Sequence, residues 1–134
     1  MSKSNYAENL TLKLLMASAP AGFTRTTSAR YVALHLADPG EDGANGEAAV
    51  AGYSRVQRDA SDANWPVTND NCINAATITF GPLSAALNNV SHWSVWDAST
   101  GGNLIYKGSF ATPRSYVAGD QPPIPTGGIS ITEG

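Results

Sequence analysis

The chain reads as a mainly β protein, an antiparallel sandwich or barrel preceded by one α-helix. Three observations predict this: an amphipathic stretch that stops near residue 22, a series of short β-type runs after it, and turn residues punctuating those runs. At 134 residues the chain suits one domain spanning 1–134, long enough to bury a real core but not two.

The helix is expected over about residues 5–18. Asn5 can cap it with Glu8 three residues later, and Tyr6, Leu10, Leu14 and Ala17 recur at helical spacing. Pro20 and Gly22 end it. Leu12, Leu15 and Met16 widen the apolar surface beyond one stripe, so the helix is expected to pack on two sides, one of them available to a partner.

Strands are expected over 30–36, 49–57, 72–80, 92–97, 104–111, 115–118 and 129–132. In the first, Val32, Leu34 and Leu36 share one face and Tyr31, Ala33 and His35 the other, the alternation of a half-buried strand. The inward set is expected to be Val32, Leu34, Leu36, Ile78, Phe80, Val95 and Ile105. Residues 97–103 form a hairpin loop, because Gly101, Gly102 and Asn103 tolerate positive φ. Two stretches, 58–71 and 119–128, resist assignment to strand or helix. The second is rich in Pro and Gly, and two readings of it stand: an extended arm laid across a neighbour, or a stiff surface connection. There are no internal repeats.

Composition bounds the function. Apolar residues make up 42% and charged residues 14%, the latter well below the roughly 25% usual for soluble domains. Either much of the surface is covered by something, or exposed strand faces carry Ser, Thr and Asn instead. A net charge of -3 with pI near 5.1 and eight scattered Lys and Arg offer no basic field, so nucleic acid is not expected as a partner. No apolar run approaches the roughly 18 residues of a membrane span, and Met-Ser-Lys-Ser lacks a signal-peptide core, so no membrane partner and synthesis in a cytoplasm are expected. The lone Cys72 excludes an internal disulfide and reads as a small buried group.

No catalytic constellation emerges, and no cofactor or metal is expected. His35 and His92 lie on separate expected strands, and two ligands do not make a zinc or iron site. Asp38, Glu41, Asp42 and Glu47 gather among glycines in a way calcium could use, but without EF-hand spacing; a tight turn capped by Asp38 is the simpler reading. There is no Gly-x-Ser-x-Gly elbow, and with eleven acidic residues any glycosidase pair could be nominated. Trp65, Trp93 and Trp96 could form a sugar-stacking platform for host contact, although Trp93 and Trp96 point to opposite strand faces.

Several phrases together resemble a widespread family of small phage structural proteins, often labelled tail-fibre-like, that includes capsid cement proteins of tailed phages such as the Bordetella short-tailed phage type. They are Asn5-Tyr-Ala-Glu-Asn-Leu10, Tyr31-Val-Ala-Leu-His-Leu-Ala-Asp-Pro-Gly40, Gly52-Tyr-Ser-Arg55, Ile78-Thr-Phe80, and His92-Trp-Ser-Val-Trp-Asp-Ala with Gly101-Gly-Asn-Leu104. Val117-Ala-Gly-Asp120 and Gly128-Ile-Ser-Ile-Thr132 continue the match in the same order. The resemblance implies a jelly-roll-like β-sandwich that decorates the outer capsid face, with no catalytic residues. Its implied partners are the major capsid protein and further copies of the chain, a homodimer in preference to a trimer. A tail or fibre component is the alternative. Residues 58–71 and Pro122-Pro-Ile-Pro125 depart from the family pattern. Contacts are expected from Tyr6, Leu12, Leu15, Met16 and Trp65, and from the arm residues Gln121, Pro122, Pro123, Ile124 and Pro125.

Overall fold

The fold is described from a computed structural model covering residues 3–133; residues 1, 2 and 134 of the expected domain lie outside the described residues. Helix α1 spans Asn5–Met16. Its cap is Ser4 rather than the expected Asn5: the Ser4 hydroxyl accepts from the Ala7 amide at 3.3 Å, which occupies one of the free amides of the first turn, and the Ser4 carbonyl accepts the first helix bond from the Glu8 amide at 2.9 Å. The C-terminal carbonyls are held by distant residues. Arg25 Nη1 donates to the Leu14 and Ala17 carbonyls at 2.7 and 2.6 Å, Arg30 Nε to Leu15 at 2.7 Å, and the Ser61 amide to Met16 at 3.1 Å.

Among the described residues nine strands follow: β1 (Tyr31–His35), β2 (Val56–Gln57), β3 (Val67–Thr68), β4 (Asn71–Ile73), β5 (Ile78–Thr79), β6 (Leu87–Trp96), β7 (Leu104–Tyr116), β8 (Pro123–Ile124) and β9 (Ser130–Thr132). They form three antiparallel sheets, ordered β2-β1-β6-β7, β3-β4-β9 and β5-β8. One core joins them. Val32, Leu34, Trp93 and Val95 of the large sheet meet Cys72 and Ile131 of the second sheet, Ile78 and Ile124 of the third, and Leu12 and Met16 of the helix.

The expected strand over 49–57 shrinks to Val56–Gln57, because Gly52 adopts φ +88° in a turn where a Cβ would lie 2.4 Å from the Pro82 carbonyl oxygen. The expected strand over 72–80 breaks in two at Asn74. That side chain is buried, donates to the Ala76 and Pro125 carbonyls and accepts from the Ile129 amide, each at 2.9 Å. The two expected strands over 104–111 and 115–118 are one strand, β7, with a wide irregularity: His92 pairs with Ser109 and Val90 with Arg114, so residues 110–113 have no register partner on β6. A smaller bulge lies where Val95 pairs with Tyr106 and Trp96 with Leu104. It leaves Ile105 only half-buried and outside the core, against expectation, while Tyr106 packs on the core instead.

Both unassigned stretches contribute strands, β3 within 58–71 and β8 within 119–128. The expected hairpin loop at 97–103 forms, closed by the Asp97 carboxylate accepting from the Asn103 amide at 2.7 Å and from its Nδ2 at 2.9 Å.

Candidate functional site: an apolar groove beside the outer strand

The back face of the large sheet is sealed by the loop after β1. His35 donates from Nδ1 to the Asn45 carbonyl at 2.8 Å and accepts at Nε2 from the Ser94 hydroxyl at 2.7 Å, while Ser94 Oγ accepts from Trp96 Nε1 at 2.6 Å. This relay requires neutral His35, and burial, aided by Arg55 and His92, depresses its pKa against the Asn45 carbonyl and Glu47. Gly43, at φ +73°, lies flat on Trp96; a Cβ there would come within 2.4 Å of the indole.

Beside this relay, Arg55 stacks 4.1 Å from the Trp96 ring centroid and forks onto both Glu47 oxygens at 2.9 and 2.8 Å. Its other amino group holds the Ala98 and Gly101 carbonyls of the hairpin loop. Burial opposes the Glu47 charge, yet the Arg55 bonds and the Tyr53 hydroxyl keep its pKa below the ordinary carboxylate value. Every buried side-chain polar atom among the described residues has a partner. A network so fully satisfied fixes one arrangement of these loops.

The candidate metal ligands are dispersed. His35 and His92 are direct cross-strand neighbours, which the sequence reading did not foresee, but His35 is engaged at both nitrogens and His92 Nδ1 meets the Ser91 hydroxyl at 2.8 Å. In the acidic loop Asp38 pairs with Lys107 at 2.9 Å, Asp42 caps the Ala44 amide and Glu47 is held by Arg55. No group of three or more His, Cys, Asp or Glu could share one ion among the described residues.

The expected contact residues divide sharply. Leu12, Met16 and Trp65 are fully buried, Ile124 is 1% exposed and Pro122 is buried, so in this fold they fill the chain's own core. Trp65 donates from Nε1 to the Arg58 carbonyl at 2.9 Å. The arm is pinned by Asn74 and by the Phe80 amide donating to the Pro122 carbonyl at 2.9 Å. Leu15 is half-buried, while Tyr6, Gln121, Pro123 and Pro125 face outward. Trp93 and Trp96 are 4% and 5% exposed, so no tryptophan is left to stack on a sugar.

A groove of about 480 Å³ opens between β7 and the arm. Leu34 and Val90 line it from the sheet, Phe110, Ala111, Thr112, Arg114 and Tyr116 along β7, and Pro122 to Pro125 along the arm. Arg114 lines it without an acidic partner among the described residues. The turn 117–120 joins the two walls and carries Val117, 64% exposed. The available signal was Pro113 between the expected strands 104–111 and 115–118, since proline in a strand marks an edge or a bulge; what the bulge opens onto depends on the tertiary position of the arm.

The fold and its surfaces define, among the described residues, a mainly β protein of three antiparallel sheets whose buried polar side chains are paired and which carries an apolar groove. A family model described as podophage GP4 fiber I protein gp80 matches residues 2–132, and the chain belongs to that family. It is a phage structural protein of fibre-like kind, which associates it with the virion. No curated protein matches the chain. Among the described residues no helix is long and apolar enough to cross a membrane.

Proposed function

We propose that the chain is a fibre component of a podophage virion that works by binding neighbouring structural proteins and catalyses nothing. The observation that carries this reading is the family match across residues 2–132. The paired polar interior supports it, because rigid loops held by Arg55, Glu47 and Asn74 suit a part that must keep its shape under load.

The second reading is a cement subunit on the outer capsid face, a jelly-roll-like sandwich bridging copies of the major capsid protein. The ordered phrases from Asn5 to Thr132 and the charge-poor composition favour it. Bridging gains effective concentration for the second contact, so modest single contacts suffice. Quantitative mass spectrometry of purified particles separates the two. A fibre component is expected at a small fraction of the major capsid protein, with antibody label at the tail. Abundance comparable to the capsid subunit, with label over the head, would replace the fibre reading by the cement reading. Absence from the particle would end both.

A further inference from the structure

We infer that Asn45 is a site of spontaneous self-modification in the folded chain, where the Gly46 amide closes on the Asn45 side chain and converts it to aspartate and isoaspartate. The inference goes beyond the virion reading and does not depend on it.

Of the ten asparagines, Asn45 alone is followed by glycine, the one residue with no Cβ to hinder attack by its own amide nitrogen. The loop calls for that glycine. Gly46 sits at φ +70°, and a Cβ there would lie 3.2 Å from the Ala37 nitrogen, so the fold itself favours the residue that makes position 45 reactive.

The surroundings leave the reaction open. Asn45 is exposed. The loop pairs with β1 and its end through the Leu36 amide donating to the Gly46 carbonyl at 2.8 Å and the Ala48 amide to the Leu34 carbonyl at 2.9 Å, which leaves the Gly46 amide without an acceptor among the described residues. One contact restrains the Asn45 side chain, Nδ2 donating to the Asp38 carbonyl at 2.9 Å, an exposed neutral bond that water replaces readily. The peptide unit is also activated. When the Gly46 nitrogen gives up its proton, the negative charge spreads onto the Asn45 carbonyl oxygen, to which His35 Nδ1 donates at 2.8 Å. A donor already fixed on the atom where charge develops favours its formation.

Solvent base takes the Gly46 amide proton, the nitrogen attacks Asn45 Cγ, and the Cγ–Nδ2 bond breaks as ammonia leaves. Water then opens the cyclic imide. Opening at Cγ gives aspartate, and opening at the backbone carbonyl carbon gives isoaspartate, with the chain rerouted through Cγ. Either product loses the donor to the Asp38 carbonyl and adds a negative charge to a loop that already carries Asp38, Glu41 and Asp42. Isoaspartate also turns the acceptor of His35 into a free carboxylate. Both loosen the loop that seals the back face of the large sheet.

The folded full chain, kept in mildly alkaline buffer, is expected to gain about 1 Da, and peptide mapping to place the gain at Asn45 ahead of every other asparagine, as both products. Asn45→Gln, whose longer side chain closes the ring poorly, is expected to abolish that early gain. Measured against a free peptide of residues 38–52, Asn45 in the folded chain should react at no less than about a hundredth of the rate, whereas reaction confined to the unfolded chain would be slower by about a thousandfold or more. The aged wild type should show a lower urea midpoint than the fresh protein, and Asn45→Gln no change after the same treatment. A rate below that hundredth, conversion of another asparagine first, or an undiminished gain in Asn45→Gln would each overturn the inference, and an unchanged midpoint in fully converted protein would overturn the loosening of the loop.

Discussion

Gly108 is in β7 because of a ring on the neighbouring strand. It pairs with Trp93, and a Cβ at position 108 would lie 2.4 Å from Trp93 Cζ2, closer than atoms can pack. The indole therefore occupies the space a side chain would take, and the strand accepts the entropic cost of glycine for it. Gly108→Ala is expected to cost about 1–3 kcal/mol through overpacking, read as a lower urea midpoint at unchanged slope. Trp93→Phe placed in the Gly108→Ala background should recover part of that loss. A midpoint equal to wild type in Gly108→Ala would mean that the indole moves aside freely, and the pairing argument fails.

The helix illustrates how elements here depend on residues far along the chain. Its twelve residues are too few to persist alone in water, and its last carbonyls rely on Arg25 and Arg30. Arg25→Ala is expected to cost about 1.5–3 kcal/mol, the range for hydrogen bonds to a charged donor. Arg25→Lys should restore only part, since one ammonium cannot span carbonyls that a planar fork reaches together. Amide exchange in the turn before Met16 should quicken in both variants, and wild-type exchange there would refute the capping role. The same dependence explains what was legible in the sequence. Periodicity carried the helix and β1, the run from His92 carried the second half of β6 but not Leu87 to Ser91, and the turn residues carried the 97–103 loop, because those signals are local. Arg25, Arg30 and Asn74 look like ordinary polar residues until the chain folds back onto them, so the capping of the last helix carbonyls and the break between β4 and β5 were not readable. Pro122 and Ile124 read as an outward arm for the same reason: only Asn74 and Phe80, more than forty positions earlier, turn them into core. The groove was not read in the sequence: Pro113 is a local mark of an irregular edge, but nothing local says that the arm forms the facing wall.

At the scale of the whole molecule, the buried titratable groups set a pH window for stability. His35 is held neutral in the fold, with its pKa below the ordinary 6.5; as pH falls beneath that value the unfolded chain takes up the proton first, and stability declines. Glu47, depressed below 4.5 by its Arg55 and Tyr53 bonds after burial is overcome, adds a second decline under pH 4.5 as its ion pair with Arg55 is lost. The alkaline side has the opposite sign. Burial pushes the Cys72 thiol from 9.0 up to about 12, and burial with the Glu133 carboxylate raises Tyr106 above 10; above pH 9 the unfolded chain therefore loses protons that the fold retains, and stability falls again. The window between pH 6.5 and 9 should be a plateau of the urea midpoint, with a shoulder on its acid side. His35→Gln should lower the plateau, because the relay through Ser94 is cut, and should also flatten the shoulder between pH 6.5 and 4.5. Cys72→Ala should flatten the alkaline edge where it begins, near pH 9, leaving the acid side unchanged. A His35→Gln profile parallel to wild type across the acid shoulder would show that His35 keeps an ordinary proton affinity in the fold, and the neutral relay from Trp96 through Ser94 to the Asn45 carbonyl would have to be abandoned.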